Sequence, residues 1–317
     1  MPQTGQPAFL LQATDMRPLR ESRHQVDIAV LGGSALALAG DGTGFVNRFA
    51  RMLAGLEKPW CGRIRLGRNG VSAFDRASRR IVGFVPERLE AAPGMTPRGY
   101  LTLLSAAAGV GGGKALGAPQ ETLKWFGIDQ YSGTPVENLP GDVRYAVGFA
   151  GALLHNPSVV IAQGPVPELV FRQLEDLKSV EKALVLCCDG VAGIPPCSDR
   201  IALCSESDLV RTVPAGELAR LCSSSSEIRV SFHPPLQRRL MEEIPGLVAL
   251  NSIEGGWALR HSSPAAAIGA ISALARANSR MISSFSIRHP AIATLIRLSE
   301  EDLEPGQPDL FGRVEEP

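Results

Sequence analysis

Continuous apolar runs punctuate the first 222 residues. SVVIAQ (158–163), ALVLCC (183–188) and RIALCS (200–205) lack polar alternation, the pattern of strands buried on both faces of a parallel sheet. IAVLG and SALALAG (28–40) predict two strands around a Gly-Gly turn, and RIVGFVP (80–86) predicts a strand stopped by Pro86. RFARMLAGL (48–56) places Phe49, Met52 and Leu53 on one face of a helix. The stretch 93–140 is rich in Ala and Leu and reads as helices, interrupted by a flexible link at GVGGGKALGAP (109–119). VRYAVGFAGALL (143–154) predicts a helix ended by Asn156-Pro157. Strands alternating with helices indicate an α/β domain.

The pattern changes after a polar break at Ser223–Ser226. EIRVSF (227–232) alternates as a strand, and PPLQRRLMEEI (234–244) predicts a helix opening on proline. LVALN (247–251) and WALRHS (257–262) flank a Gly-Gly turn as a hairpin. PAAAIGAISALARA (264–277) predicts a helix, MISSFSIR (281–288) a strand and AIATLIRLSEED (291–302) a last helix. This order indicates a small α+β module of ferredoxin-like layout at 227–302, with a disordered tail expected at 303–317.

Composition narrows the function. The 317 residues suggest about two domains. Lys plus Arg equals Asp plus Glu, so the formal net charge is zero, which argues against a nucleic-acid binder and against strong steering onto an anionic membrane. With 44% hydrophobic and 20% charged residues, the chain can bury a sizeable core. The first residues lack the pattern of a signal peptide, and no apolar run reaches the ~18 residues of a membrane span. A cytoplasmic location follows as an expectation. The six cysteines form no C-x-x-C pair and have no histidine at metal spacing, so buried reduced thiols are expected and no metal site.

The chemically informative stretch is GDGTGFVNRFARMLAGL (40–56). A strand, a Gly-rich turn and a helix form the layout of a phosphate-binding loop, in which backbone N–H groups converge on a phosphate. Such loops also need a Lys for the outer phosphates and a Ser or Thr for Mg²⁺. Here Gly40, Gly42, Thr43 and Gly44 are present. The Lys position falls on Phe45 or Val46, and the Ser/Thr position on Val46, Asn47 or Arg48. Phe45 is expected to crowd any phosphate at the turn. The surviving glycines leave room for weak ATP binding through backbone N–H groups alone.

This stretch, with AGL at the helix end and KPWCGRIRL after it, resembles the Walker A region of ABC-transporter ATP-binding subunits. The resemblance continues in order through IVGFVPE (81–87), PGMTPRGYL (93–101), VENLPGDVRYAVGFAGALLHNPSVVIAQGP (136–165) and ALVLCCD (183–189), to about residue 219. It implies an ABC-ATPase-like P-loop domain over 1–222, with a helical subdomain at about 93–155. It also implies that the family's chemistry is degenerate here. The Q-loop glutamine is replaced by Glu87. The signature reads Leu139-Pro140-Gly141-Asp142-Val143, with Asp142 a negative charge where a partner's γ-phosphate would sit. The Walker B pair is Gln163-Gly164, and the H-loop histidine falls on Cys188. No adenine-stacking aromatic stands in MRPLRESRHQ (16–25), and neither His155 nor Glu168 substitutes for the missing groups. Losing the Lys alone removes up to ~4 kcal/mol of charge attraction at an effective dielectric near 20, before desolvation is subtracted.

SSFSIRHPAIATLIRLSEEDL (283–303) resembles the end of the C-terminal extension on ATP-binding subunits of ABC-2-type exporters. The resemblance therefore implies a pseudo-ATPase subunit, without catalytic residues and without Mg²⁺. It implies a structural or coupling role beside an ABC-2-type permease, peripheral on the inner face of the membrane, with an intact ABC ATPase subunit as a further partner. Residues around 85–105 are the expected permease contact. Two other readings stay open: a nucleotide-binding or hydrolysing subunit with non-standard residues, and a soluble regulatory scaffold.

Overall fold

The computed structural model describes residues 8–23, 25–108, 119–205 and 208–301. The described residues divide into two compact units, one up to Val213 and one from Pro214. The sequence readings at 109–118 and 303–317, a flexible link and a disordered tail, lie outside the described residues.

The first unit runs β1 (Phe9–Arg17), β2 (Val26–Leu31), β3 (Ala35–Gly40), α1 (Thr43–Leu53), β4 (Cys61–Leu66), β5 (Val71–Ser72) and β6 (Val82–Val85). It continues through α2 (Pro97–Ala107), α3 (Pro119–Trp125), α4 (Gly141–Leu153), β7 (Val159–Ala162), α5 (Phe171–Ser179), β8 (Ala183–Asp189), β9 (Arg200–Cys204) and β10 (Leu209–Pro214). Two sheets result: one of order β2-β1-β4-β5, and a second of order β10-β9-β3-β8-β7-β6. The strands from β9 to β6 in the second sheet are parallel.

Side-chain alternation explains the layering. Val159 and Ile161 of β7 and Val185 and Cys187 of β8 face one core, shared with Phe49, Met52 and Leu53 of α1. The intervening Val160, Ala162, Leu184 and Leu186 face the opposite core, shared with Phe149 and Leu153 of α4 and Leu174 of α5. Continuous apolar runs are what strands covered on both faces require. Helix α4 is correspondingly apolar nearly all round, and Asn156, at φ 52°, turns the chain before Pro157.

IAVLG and SALALAG do not form a two-stranded unit. β2 pairs with β1 in the first sheet, whereas β3 sits between β8 and β9 in the second. Burial explains the separation: β2 alternates buried and less buried positions, while every residue of β3 is buried. β1 was not legible as a strand because Asp15, at φ 52°, and the register shifts beside it break its alternation.

The second unit contains α6 (Ala215–Ser225), β11 (Glu227–His233), α7 (Arg238–Glu242), β12 (Leu247–Ile253), β13 (Gly256–His261), α8 (Pro264–Ala277), β14 (Met281–Arg288) and α9 (Ile292–Glu301). Its antiparallel sheet has the order β12-β13-β11-β14. Ile228 and Val230 of β11 pack with Ala267 and Ile271 of α8 and with Met241 of α7. Two sequence readings change here. Ser223–Ser225 close helix α6 instead of breaking the chain, and Ser226 Oγ donates to Cys222 O at 2.7 Å. Helix α7 begins at Arg238, not at Pro234, because the backbone is still extended at Gln237, the residue before it.

Candidate functional site

The Gly-rich turn links β3 to α1 and lies beside the ends of β7 and β8. Gly42, the residue before α1, adopts φ 106° and ψ 149°, a conformation open to glycine alone. Its N–H donates to Asp189 Oδ1 at 3.0 Å. A carboxylate at a helix N-terminus is stabilised by the unsatisfied N–H groups and the dipole there. Asp189 therefore takes an N–H that a phosphate would otherwise use.

The two candidate lysine positions are both buried, and Val46 Cγ2 lies 2.8 Å from where a Cβ on Gly40 would be. Phe45 is buried and stacks on Phe49, with ring centroids 5.7 Å apart and planes 15° apart. It does not crowd the turn, because its helical position turns it into the core. Val46 is 1% exposed and belongs to the same core. Of the three candidate Ser/Thr positions, Asn47 is the one brought to the strand ends. Arg48 is exposed and pairs with Glu57.

Asn47 organises a junction of amides. Its Nδ2 donates to Glu87 Oε2 at 2.8 Å, and its Oδ1 accepts the Gly164 N–H at 3.1 Å. Gln163 Nε2 donates to Asn47 O at 2.8 Å. Beneath them, Tyr145 Oη donates to Gln163 O at 3.0 Å, and burial pushes the phenol far above its ordinary range. Gly164 has φ +71°, and a Cβ there would lie 2.8 Å from Glu87 Cγ. The positions Asn47, Glu87, Gln163 and Gly164, distant in sequence, are thus brought together and bonded to one another. No group of three His, Cys, Asp or Glu side chains with metal-binding geometry occurs among the described residues.

The remaining candidates lie apart from this junction. Cys188 is buried within β8, its thiol pushed up to about 12 by burial and then by Cys197. The residue after it, Asp189, is the one that reaches the turn. In the signature-like turn Pro140 precedes α4, and Asp142 Oδ1 accepts its neighbour Val143 N–H at 2.9 Å. Arg144 Nη2 donates to Glu137 O and Leu139 O, at 3.1 and 3.0 Å. Leu139 is buried, whereas Gly141 and Asp142 are exposed.

Sequence reasoning missed Trp60. Its backbone N–H donates to Pro18 O at 3.1 Å, which brings the 57–60 loop against 18–21. The indole is 58% exposed, and the Arg20 guanidinium lies 5.6 Å from its centroid. Together with Arg48 and Lys58 these residues line a cavity of about 280 Å³. An aromatic contributed by a second loop escapes a search confined to residues 16–25.

His155 lines a second cavity, of about 370 Å³, with Phe84, Pro86, Tyr100 and Leu104. Its Nε2 is 3.0 Å from Val82 O, and burial holds the imidazole below the ordinary histidine range. The unfolded chain therefore takes up this proton first as pH falls, and stability drops from about pH 6.5 downward. Thermal melts between pH 7 and pH 5 should show a shallower decline for His155→Gln than for the natural chain. Identical slopes would refute this assignment.

Among solved structures, an ATP-binding subunit of an ABC transporter superposes with a TM-score of 0.54 at 18% identity, over 67% of this chain and 92% of that one. The dimeric cassette MJ0796 bound to ADP and Pi superposes with a TM-score of 0.53 at 15% identity, over 65% and 98%. The chain carries the ABC ATPase fold. In sequence, the chain is similar to curated ABC ATP-binding proteins. An uncharacterised one, YxlF of Bacillus subtilis, is 26% identical over 170 residues, 52% of this chain and 56% of that protein. The methionine import ATP-binding protein MetN of Xanthomonas campestris (strain 8004) is 24% identical over 234 residues, 69% and 66%. MetN of Rhodospirillum rubrum is 24% identical over 269 residues, 79% and 76%. The chain thus spans between about half and two thirds of the first two relatives' length. No protein-family model matches it. No helix among its described residues is long and apolar enough to cross a membrane.

Proposed function

We propose that this chain is a catalytically degenerate cassette subunit, a structural or coupling partner in an ABC-2-type membrane complex, peripheral on the inner face of the membrane. The amide junction carries the reading. Mg²⁺ requires near-octahedral oxygen ligands at about 2.0–2.1 Å. At the junction the Asn47 amide oxygen is taken by Gly164 N–H, and the amide nitrogens of Asn47 and Gln163 point at protein acceptors. Gly164 offers no side chain to act as a general base. Phosphoryl transfer depends on positioning and charge neutralisation, and these residues supply neither. The apolar cavity beside Tyr100 and Leu104, with Leu103 exposed next to it, supports the 85–105 region as the permease contact.

Calorimetry and hydrolysis assays on the full chain test this. MgATP is expected to give no saturable heat, and phosphate release is expected to stay at background, alone and beside a co-purified permease. Robust hydrolysis abolished by Gln163→Ala would reject the reading.

One observation favours the second reading, nucleotide binding through non-standard residues. The Trp60 cavity offers an exposed indole with the cations Arg20 and Lys58, beside Glu21 and the Glu57-paired Arg48, which suit a planar anion without a metal. Quenching of Trp60 fluorescence by AMP without Mg²⁺, lost in Trp60→Phe, would support it over the first.

A further inference from the structure

Zero net charge is a sum over the whole chain, and the arginines in it are unevenly placed. Residues 63–80 hold six of them against a single acidic residue, Asp75. β4 explains how the first two are presented. Ile64 and Leu66 are buried, so Arg63 and Arg65 project from the opposite face of the strand, across from Thr14 and Gln12 of β1. Arg68 stands in the turn to β5, and a Cβ on Gly70 of that turn would lie 3.6 Å from Arg65 Nη1. After β5 the chain winds into a short 3-10 turn, Arg76–Arg80, fixed by the buried Ser78, whose Oγ donates to Ala73 O at 2.8 Å. Arg76, Arg79 and Arg80 are exposed on it.

Few carboxylates answer this charge. Arg63 pairs with Asp15 at 3.7 Å and Arg68 with Glu181 at 3.0 Å, and all four side chains are 68–74% exposed, where such pairs contribute little. Arg65, Arg76, Arg79 and Arg80 have no ion pair among the described residues. An apolar group stands among them: Phe74, between β5 and the 3-10 turn, is 39% exposed.

We propose that this arginine edge binds the anionic headgroups of a lipid bilayer. Clusters of four to eight arginines or lysines beside a membrane attract anionic lipid, and each one near the surface multiplies partitioning about five-fold. A guanidinium pairs with phosphate through two parallel hydrogen bonds. Phe74 adds an apolar ring that the headgroup boundary takes up. None of the six arginines lines either cavity described above, so the charge faces outward, as a flat array of phosphates requires. The proposal rests on the reading of this chain as a membrane-peripheral subunit, and it names the lipid itself as a partner besides the permease.

Sedimentation of the full chain with vesicles tests this without a permease. At low salt the chain is expected to bind vesicles of phosphatidylglycerol and phosphatidylcholine in equal parts, and not vesicles of phosphatidylcholine alone. Near 0.5 M salt, where screening acts within a few ångströms, release is expected. Arg76→Gln, Arg79→Gln and Arg80→Gln together are expected to lower binding roughly 100-fold. Removing equal charge from exposed positions of the second unit, with Arg239→Gln, Arg260→Gln and Arg276→Gln, is expected to leave binding within a few-fold of the natural chain. Independently, Phe74→Trp is expected to gain a blue-shifted emission on mixing with the anionic vesicles. No binding to these vesicles, equal losses in the two triple variants, or an unshifted Phe74→Trp emission would each overturn the proposal. So would saturable binding of polyuridylate, abolished by the first three substitutions, in a chain that ignores vesicles; the occupant would then be a nucleic acid. Absent vesicle binding with phosphate release at background would sink this proposal and leave the proposed function standing. Hydrolysis with vesicle binding intact would do the reverse.

Discussion

Val46→Lys is expected to cost about 3–5 kcal/mol of stability and to leave MgATP binding undetected. Val46 stands at one of the two positions where a phosphate loop carries lysine, so the substitution is the obvious attempt at restoration. In this fold, however, the side chain is 1% exposed and packs in the core under β3 and β8. A lysine there must stay charged without a partner or lose its proton. Neutralising a group of pKa near 10.4 at pH 7 costs about 4.6 kcal/mol, which bounds the charge part of the penalty. A melting temperature lowered by ~10 °C is the expected readout for a unit of about 200 residues. Unchanged melting together with new, saturable MgATP binding would show that the lysine swings to the turn. That result would argue for a restorable site.

Phe149→Ala is the second large effect, at about 3–5 kcal/mol. Phe149 is fully buried in α4, with ring centroids 5.9 Å from Phe126 and 6.4 Å from Tyr145. Removing the ring opens a cavity under Tyr145, whose hydroxyl holds the Gln163 carbonyl. Tyr145→Phe, which deletes that hydrogen bond alone, should cost only ~1 kcal/mol. Comparing the two melts separates packing from polar support. Equal losses would show that the hydroxyl, not the ring stack, holds the junction.

Much of the fold was legible because its strands carry strong and distinct burial signals. SVVIAQ, ALVLCC and RIALCS are apolar without alternation, and each forms a parallel strand buried along both faces. SALALAG carries the same signal, but its proximity to IAVLG invited a local pairing that the sheets do not make. At the site, the turn and its glycines were readable from spacing. The meeting of Asn47 with Glu87 and Gln163 was not, because it depends on which faces of α1 and β7 point inward. Asp189 was passed over for Cys188 because a one-residue step at a strand end exchanges a buried side chain for an exposed one. Trp60 was missed because its partners come from a different loop, joined through a single backbone hydrogen bond.

The geometry of Gly164 bears on any attempt to engineer this junction. With φ +71° and Glu87 Cγ 2.8 Å from where a Cβ would be, a side chain at 164 requires the backbone and its neighbour to move together. A carboxylate introduced there alone would be strained, so positions 87 and 164 have to be redesigned as a pair.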